Sequence, residues 1–152
     1  MAPPLSVSQW FNTAGPLTLE ALRGRVVVLH AFQMLCPGCV AHGLPQAQAV
    51  HRQFAGDEVA VIGLHTVFEH HDAMTPVSLA AFLHEYRIGF PVGVDARGAD
   101  GGDVPTTMRA YGMRGTPTLV AIDRAGRIRM HAFGRVEDLA VGALIGRLLV
   151  AP

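Results

Sequence analysis

The sequence predicts an α/β fold in which a central mixed β-sheet is flanked by helices on both faces, with an N-terminal extension. Strand-like and helix-like segments alternate along the 152 residues without an internal repeat. Early strands separated by helices indicate parallel pairing, whereas two late strands joined by a short turn indicate an antiparallel hairpin. A chain of this length is typical of one domain, so we expect a single domain over residues 1–152 with residues 1–16 as the extension.

Each element has its own sequence signal. Residues 26–32 and 58–67 are apolar, β-branched runs that are typical of buried parallel strands. Apolar residues at helical spacing predict helices over 37–54, with a kink near 43–45, and from Pro76 to Tyr86 and 137–150. The other predicted elements are a helix at 17–23, a strand at 90–94, a loop at 95–105, a helix at 106–111 and a hairpin of 118–122 with 127–133. Residues 1–16 are expected to be irregular, with Trp10 and Phe11 contacting the core.

The composition argues against several classes of function. Lys plus Arg equals Asp plus Glu, at 12 each, so no basic surface for nucleic acid or anionic membrane is indicated. No apolar run approaches the roughly 20 residues of a membrane span, and the N-terminus lacks the basic and apolar regions of a secretory signal. We therefore expect a cytoplasmic location, no nucleic-acid partner and no membrane span, while the oligomeric state is left open.

Two cysteines, Cys36 and Cys39, carry the strongest functional signal. They follow a predicted strand and begin a predicted helix, with Pro37 in its first turn. A disulfide that closes so short a loop adds little stability, so the spacing favours chemistry. The positive end of the helix favours a thiolate, which is the species that attacks disulfides. We expect Cys36 to be the exposed nucleophile and Cys39, one turn deeper, to be the resolving thiol.

Four segments resemble thioredoxin-like proteins, in particular the TlpA-like/redoxin branch related to AhpC/TSA proteins. Residues 26–39 are similar to the active-site strand and helix start, 22–29 to the family's LRGKVVVL stretch, 111–118 to its YGVRGTPT stretch and 122–128 to its IDRxGRI hairpin. The resemblance implies a thioredoxin fold and a thiol–disulfide oxidoreductase. It also implies a redox-active Cys36–Cys39 disulfide with no other cofactor. The substrates would be protein thiols and disulfides, with a separate electron donor or acceptor.

The same resemblance assigns roles to Thr116 and Pro117. In the family this proline is cis and faces the cysteines. Pro117 would then hold the Thr116 backbone at the Cys36 sulfur, where the N–H and C=O groups of Thr116 pair with an extended substrate strand. The alternative is an ordinary proline that begins a strand.

Three positions depart from the family pattern. Leu35 precedes Cys36 where the family usually has Trp, and the helix proline, Pro45, lies one position later than usual. His30 stands where thioredoxins carry a buried Asp. A buried imidazole there could accept the proton of Cys39 as Cys39 attacks the mixed disulfide. The alternative is a core histidine whose ring is satisfied by a carbonyl group or water.

Two other functions stay open at this point. A peroxiredoxin-like peroxidase would share the fold, but Gln33 stands where such proteins have Thr. A copper- or zinc-handling protein is the second alternative, with His65, His70 and His71 as one group and Cys36, Cys39 and His42 as another. The copper assembly factors of this fold have one more residue between their cysteines. The direction of electron flow is not encoded in any motif.

Overall fold

Six β-strands form one sheet in a computed structural model, which describes residues 1–54, 56 and 58–151. The strand order is β1-β4-β3-β2-β5-β6. The strands are β1 (Val7–Phe11), β2 (Val26–Phe32), β3 (Val59–His65), β4 (Val92–Asp95), β5 (Thr118–Ile122) and β6 (Ile128–Phe133). All residues of β2 and β3 are buried, as expected for apolar runs at the centre of a sheet.

The sheet is mixed, as the sequence predicts. Strand β3 is parallel to both β2 and β4. Strand β5 is antiparallel to β2 and to β6, with which it forms the predicted hairpin. The helical connections from β2 to β3 and from β3 to β4 join parallel strands, and the short turn from β5 to β6 joins antiparallel ones, in agreement with the general rule for such connections.

Helices cover both faces of the sheet, and their apolar sides form two core clusters. The helices are α1 (Leu44–Gln53), α2 (Pro76–Glu85), α3 (Thr106–Ala110) and α4 (Asp138–Val150). On one face, α1, α2 and α4 contribute Leu44, Leu79 and Ile145 to the core. On the other face, Met108 of α3 packs with Leu19 and other residues of the N-terminal region. No helix among the described residues is both long and apolar enough to span a bilayer.

The active-site helix contains a π-helical turn. Helical structure begins at Pro37, and Cys39–Gly43 are π-helical before α1 continues to Gln53. Within this turn the N–H of Leu44 donates to the carbonyl oxygen of Cys39, five residues earlier. The turn ends where the kink was predicted.

Two predictions for the N-terminal region are wrong. The segment 1–16 is not irregular throughout, because Val7–Phe11 forms β1, which pairs antiparallel with β4. Its hydrogen-bonding partner is distant in sequence, so the short segment shows no local hairpin signal. Residues 17–23 do not form a helix. They form successive turns with bonds such as Leu22 N–H to Leu19 O at 3.2 Å, which place Leu19 and Leu22 in the core.

Candidate active site

The two thiols lie at the start of the active-site helix, directly after β2. Both are in the free, reduced form, with Cys36 half-buried and Cys39 buried. The N–H of Cys39 donates to Cys36 Sγ at 3.3 Å, and the N–H of Cys36 donates to the carbonyl oxygen of Gln33 at 3.1 Å. One sulfur is therefore accessible and held by a backbone donor, while the other lies beneath it.

Burial and a hydrogen bond with Cys36 raise the pKa of Cys39 to about 12. Hydrogen bonds from the Gln33 backbone and from the Thr116 side chain act in the opposite direction and lower this pKa. Cys39 is therefore a protonated thiol at neutral pH. Any reaction in which it acts as a nucleophile requires that it first lose its proton.

The loop that contains Thr116 and Pro117 lies against the thiols. The Thr116–Pro117 peptide bond is cis, and the carbonyl oxygen of Thr116 accepts a hydrogen bond from Cys36 Sγ at 3.4 Å. A Cβ atom on Gly38 would lie 3.5 Å from Pro117 Cδ, so this proline packs against the residues between the cysteines. The structure thus brings together Cys36, Thr116 and Pro117, as the family resemblance implies.

Gln33 is a site residue that the sequence interpretation missed. Its side chain is 2% exposed. The amide nitrogen donates to Thr116 Oγ1 at 3.4 Å, and the amide oxygen accepts the N–H of Phe68 at 3.2 Å. A polar residue directly after a buried, mostly apolar strand and three positions before Cys36 is a signal that could have revealed it.

His30 is buried within β2 but makes no described contact with either thiol. Its ring lies against Gly43, which Pro117 also faces, and it stacks with Phe32 at a centroid distance of 6.3 Å. Neither ring nitrogen has a hydrogen-bond partner among the described residues. Burial, assisted by the nearby His42, lowers the pKa of His30 to about 4, so the imidazole is neutral at physiological pH. A catalytic role for His30 stays a prediction.

The other histidines of interest contact the backbone. His65 Nε2 accepts the N–H of Met34 at 3.2 Å, and His42 Nε2 lies 3.0 Å from the carbonyl oxygen of Val136. Over residues 1–54, 56 and 58–151, no group of three or more His, Cys, Asp or Glu side chains is placed to hold a metal ion. Among these described residues, neither of the two candidate ligand groups predicted from the sequence forms a metal site. These groups are His65, His70 and His71, and Cys36, Cys39 and His42.

Comparison with solved structures confirms the fold. A crystal structure of a thioredoxin-like superfamily protein is 62% identical, with a TM-score of 0.96, and the match covers 99% of this chain and 97% of that one. A thiol-disulfide isomerase from Corynebacterium glutamicum is 52% identical, with a TM-score of 0.93, and the match covers 99% and 98% of the two chains. The predicted thioredoxin fold is therefore confirmed.

Relatives with curated names point to the same class of enzyme. The thiol-disulfide oxidoreductase ResA of Halalkalibacterium halodurans is 25% identical over 125 residues, which are 81% of this chain and 62% of ResA. Protein DipZ of Mycobacterium bovis is 28% identical over 151 residues, which are 97% of this chain but only 20% of DipZ. At the level of the class, the prediction of an oxidoreductase enzyme is confirmed.

A family model, that of the AhpC/TSA family, matches residues 1–131. The matched region contains the cysteine pair, the Thr116–Pro117 loop and all six strands except the last residues of β6. With its thioredoxin-like sheet and its reduced cysteine pair, this chain belongs to the AhpC/TSA family.

Proposed function

We propose that this chain is a thiol–disulfide oxidoreductase that exchanges disulfides through Cys36 and Cys39. One observation carries the proposal: the accessible Cys36 Sγ lies 3.4 Å from the carbonyl oxygen of Thr116 and 3.3 Å from the N–H of the buried Cys39. A substrate sulfur that reaches Cys36 therefore arrives beside a second thiol and beside a backbone segment that can align a peptide.

The reaction proceeds in two exchange steps. The Cys36 thiolate attacks one sulfur of a substrate disulfide, forming a mixed disulfide while the other substrate sulfur leaves with the electron pair and takes up a proton. Cys39 then loses its proton and attacks Cys36 Sγ, which forms the Cys36–Cys39 disulfide and releases the second substrate thiol. The substrate gains two electrons and the dithiol loses two. The reverse sequence oxidises a substrate dithiol.

The order of the steps follows from the environment of Cys39. Its pKa of about 12 keeps it protonated while Cys36 is free, in part because Cys36 itself raises that pKa. A mixed disulfide carries no negative charge on Cys36 Sγ, so its charge no longer opposes ionisation of Cys39. Formation of the mixed disulfide therefore favours the thiolate that resolves it.

His30 is the proposed proton acceptor in this second step. It is neutral and buried, and neither of its ring nitrogens has a partner among the described residues, so the ring can accept a proton. With a pKa of about 4 it would hold that proton only transiently. His30→Ala should then slow resolution of a mixed disulfide by about 100-fold, the low end for general-base catalysis, and change its pH profile in stopped-flow measurements. An unchanged rate and profile would remove His30 from the mechanism.

Protein thiols and disulfides are the proposed substrates, with a separate protein as electron donor or acceptor. Leu35, which precedes the nucleophile, is 58% exposed and offers an apolar contact beside the reacting sulfur. The dithiol supplies the redox chemistry, and the proposal invokes no other cofactor. The cytoplasmic location stays a prediction.

The deciding experiment equilibrates the protein in glutathione buffers and follows both thiols by alkylation and intact mass, with bound metal measured on the same sample. We expect a reversible two-electron transition between roughly −270 and −120 mV, the range of Cys-x-x-Cys proteins. A pair that stays reduced throughout, with metal bound, would overturn the proposal. If hydrogen peroxide oxidises Cys36 at a higher rate than disulfide substrates do, the peroxidase alternative is favoured.

A matched pair of variants tests the two roles. Cys39→Ser should accumulate a mixed disulfide with a disulfide substrate, because Cys36 still attacks and nothing resolves the product. Cys36→Ser should form none, since the remaining thiol is buried and protonated. Mixed disulfide formation by Cys36→Ser would reverse the assignment.

A further inference from the structure

The aromatic ring of Phe133 lies against the loop that contains the cis-proline. Phe133 is the last residue of β6 and pairs with Thr118, the first residue of β5. A Cβ atom on Gly115 would lie only 3.0 Å from Phe133 Cε2, so the ring approaches the backbone where this residue has no side chain. The N–H of Gly134 donates to the carbonyl oxygen of Pro117 at 2.8 Å. The end of β6 is therefore fixed beside the cis-proline loop.

The guanidinium group of Arg114 lies over this ring. Its Cζ atom is 5.6 Å from the centroid of Phe133, within the range of a cation–π contact. The contact restrains a long side chain, while the Phe133 side chain stays 50% exposed. Arg114 is exposed as well, and no carboxylate among residues 1–54, 56 and 58–151 forms an ion pair with it. A cation is therefore held in place with its charge available to a partner.

This cation lies near the reacting sulfur. Arg114 is two residues before Thr116, whose carbonyl oxygen is 3.4 Å from Cys36 Sγ. Consecutive Cα atoms are about 3.8 Å apart, so the Arg114 backbone lies within roughly two residue lengths of that contact. A peptide strand rises about 3.4 Å per residue. Side chains within about four positions of a substrate cysteine that has reached Cys36 are therefore within reach of the guanidinium.

Few other charges lie on the segments around the thiols. Residues 33–38 and 115–118 contain no charged side chain. After β6, Arg135 pairs with Glu137 at 3.5 Å, so these two charges offset each other. Glu69 follows β3, which lies on the opposite side of β2 from β5. The side of the thiols that carries the cis-proline therefore presents a positive charge, for which an acidic side chain is the complementary partner.

We propose that Arg114, held on the ring of Phe133, is a specificity-determining residue that favours protein disulfides with an acidic side chain close to the reacting cysteine. The inference names a substrate class for the proposed function and rests on its assignment of Cys36 as the nucleophile. The planar guanidinium can pair with a carboxylate through two parallel hydrogen bonds. Arg114 acts on binding of the substrate, and Phe133 is a positioning group for Arg114.

Cysteine peptides that carry nitrothiobenzoate as a disulfide test the inference. Cys36 attacks the peptide sulfur, nitrothiobenzoate leaves with the electron pair, and a disulfide forms between Cys36 and the peptide. Three otherwise identical peptides carry Glu, Gln or Lys on both sides of the cysteine. Each rate is divided by the rate of the same peptide with dithiothreitol, which corrects for the reactivity of the peptide itself.

The expected result is a preference for the acidic peptide. The wild-type protein should react about fivefold faster with the Glu peptide than with the Gln peptide at low salt, which is the upper end for an exposed ion pair. The Lys peptide should react more slowly than the Gln peptide. Added salt should reduce both differences, because it screens charges at the surface.

Substitutions at Arg114 separate its charge from the rest of the surface. Arg114→Gln should react with the Glu and Gln peptides at rates within about twofold of each other, and Arg114→Glu should favour the Lys peptide. Arg52→Glu is the matched control, since it makes the same change in net charge at an exposed position near the end of α1 and should keep the wild-type preference. Phe133→Leu should reduce the preference to about half, because leucine is apolar but has no ring face to hold the guanidinium.

The outcomes distinguish this inference from the function on which it rests. A wild-type protein with no preference among the peptides, or an Arg114→Gln variant that keeps the preference, would overturn the inference and leave the oxidoreductase intact. Loss of the preference in Arg52→Glu would overturn it too, because the overall charge would then be responsible. An unchanged preference in Phe133→Leu would overturn the positioning role of the ring. A wild-type protein that releases no nitrothiobenzoate from any peptide would overturn the proposed function itself.

Discussion

His65 Nε2 accepts a hydrogen bond from the backbone N–H of Met34 at 3.2 Å, which joins the end of β3 to the loop that precedes Cys36. Only a neutral imidazole with a bare Nε2 can accept this bond. Burial lowers the pKa of His65 to about 4, in keeping with that role. The buried His30 has the same lowered pKa, so two neutral imidazoles lie within the central strands.

These two histidines predict a loss of stability in mild acid. Their folded-state pKa values of about 4 lie below the ordinary value of 6.5, so between these limits only the unfolded chain binds the protons. The stability that these two neutral histidines contribute is fully present above pH 6.5 and is lost as the pH falls toward 4. Between these two values, each histidine should reduce the free energy of unfolding by about 1.4 kcal/mol for every pH unit by which the pH is lowered.

Denaturant unfolding at several pH values between 4.5 and 7.5 measures this slope. His65→Gln should remove about half of it, since an amide oxygen can still accept the Met34 N–H but does not titrate in this range. His84→Gln, at an exposed position of α2, serves as the control and should leave the slope unchanged. A His65→Gln protein with the wild-type slope would contradict the prediction.

Gly43→Ala is expected to destabilise the protein by about 1–3 kcal/mol, the usual cost of overpacking. A Cβ atom at this position would lie 2.6 Å from His30 Nε2 and 3.3 Å from Pro117 Cβ. The buried His30 ring has little room to move because it also stacks on Phe32. The measurement is the midpoint of denaturant unfolding.

Gly146→Ala in α4 is the matched control for this overpacking. Nothing lies within 4 Å of the new methyl group, so the change should stabilise the helix, by roughly 0.5–1 kcal/mol. If the new methyl group clashes with His30, the double variant His30→Ala, Gly43→Ala should lose less free energy of unfolding than the two single variants lose together. Additive effects would show that the clash lies elsewhere.

Asp95→Asn should lower the free energy of unfolding by about 1–3 kcal/mol, because a buried donor loses its acceptor. The Asp95 carboxylate accepts the N–H groups of Thr107 and Met108 at 2.8 and 2.9 Å and the Thr66 hydroxyl at 2.9 Å. An amide nitrogen cannot accept, so one of these donors is left unpaired. These bonds join β4 to the start of α3.

Asp100→Asn is the control for the Asp95 change, and thermal or denaturant unfolding measures both. Asp100 is exposed and pairs with Arg109 at 3.0 Å, so its loss should change stability by no more than about 1 kcal/mol. Equal effects of the two substitutions would argue against the role given to the buried carboxylate.

Alkylation of the native, reduced protein should label Cys36 about tenfold or more faster than Cys39. Cys36 is half-buried, whereas Cys39 has no exposed surface and a raised pKa, and iodoacetamide reacts with accessible thiolates. Peptide mass mapping after short labelling times distinguishes the sites. In guanidinium the two rates should converge, and equal labelling of the native protein would contradict the structure.

Local sequence patterns were sufficient to predict the central strands and the position of the cysteine pair at the start of a helix. Six of the seven residues of strand β2 are apolar, His30 being the exception, and this signal does not depend on distant residues. Strand β1 was missed because its partner, β4, lies far along the chain. Gln33 was missed for a related reason: its partners, Phe68 and Thr116, approach it only in the folded sheet.

The π-helical turn at Cys39–Gly43 lies just before Pro45, which stands one position later than the family resemblance implies. A π-turn accommodates one more residue than an α-turn, so an insertion in this segment is absorbed as a local bulge. Leu44, Ala47 and Val50 lie in the core directly after this turn. Such a length change would leave the cysteines and the core-facing side of α1 in register, which makes this short stretch a place where the sequence tolerates an insertion or a deletion.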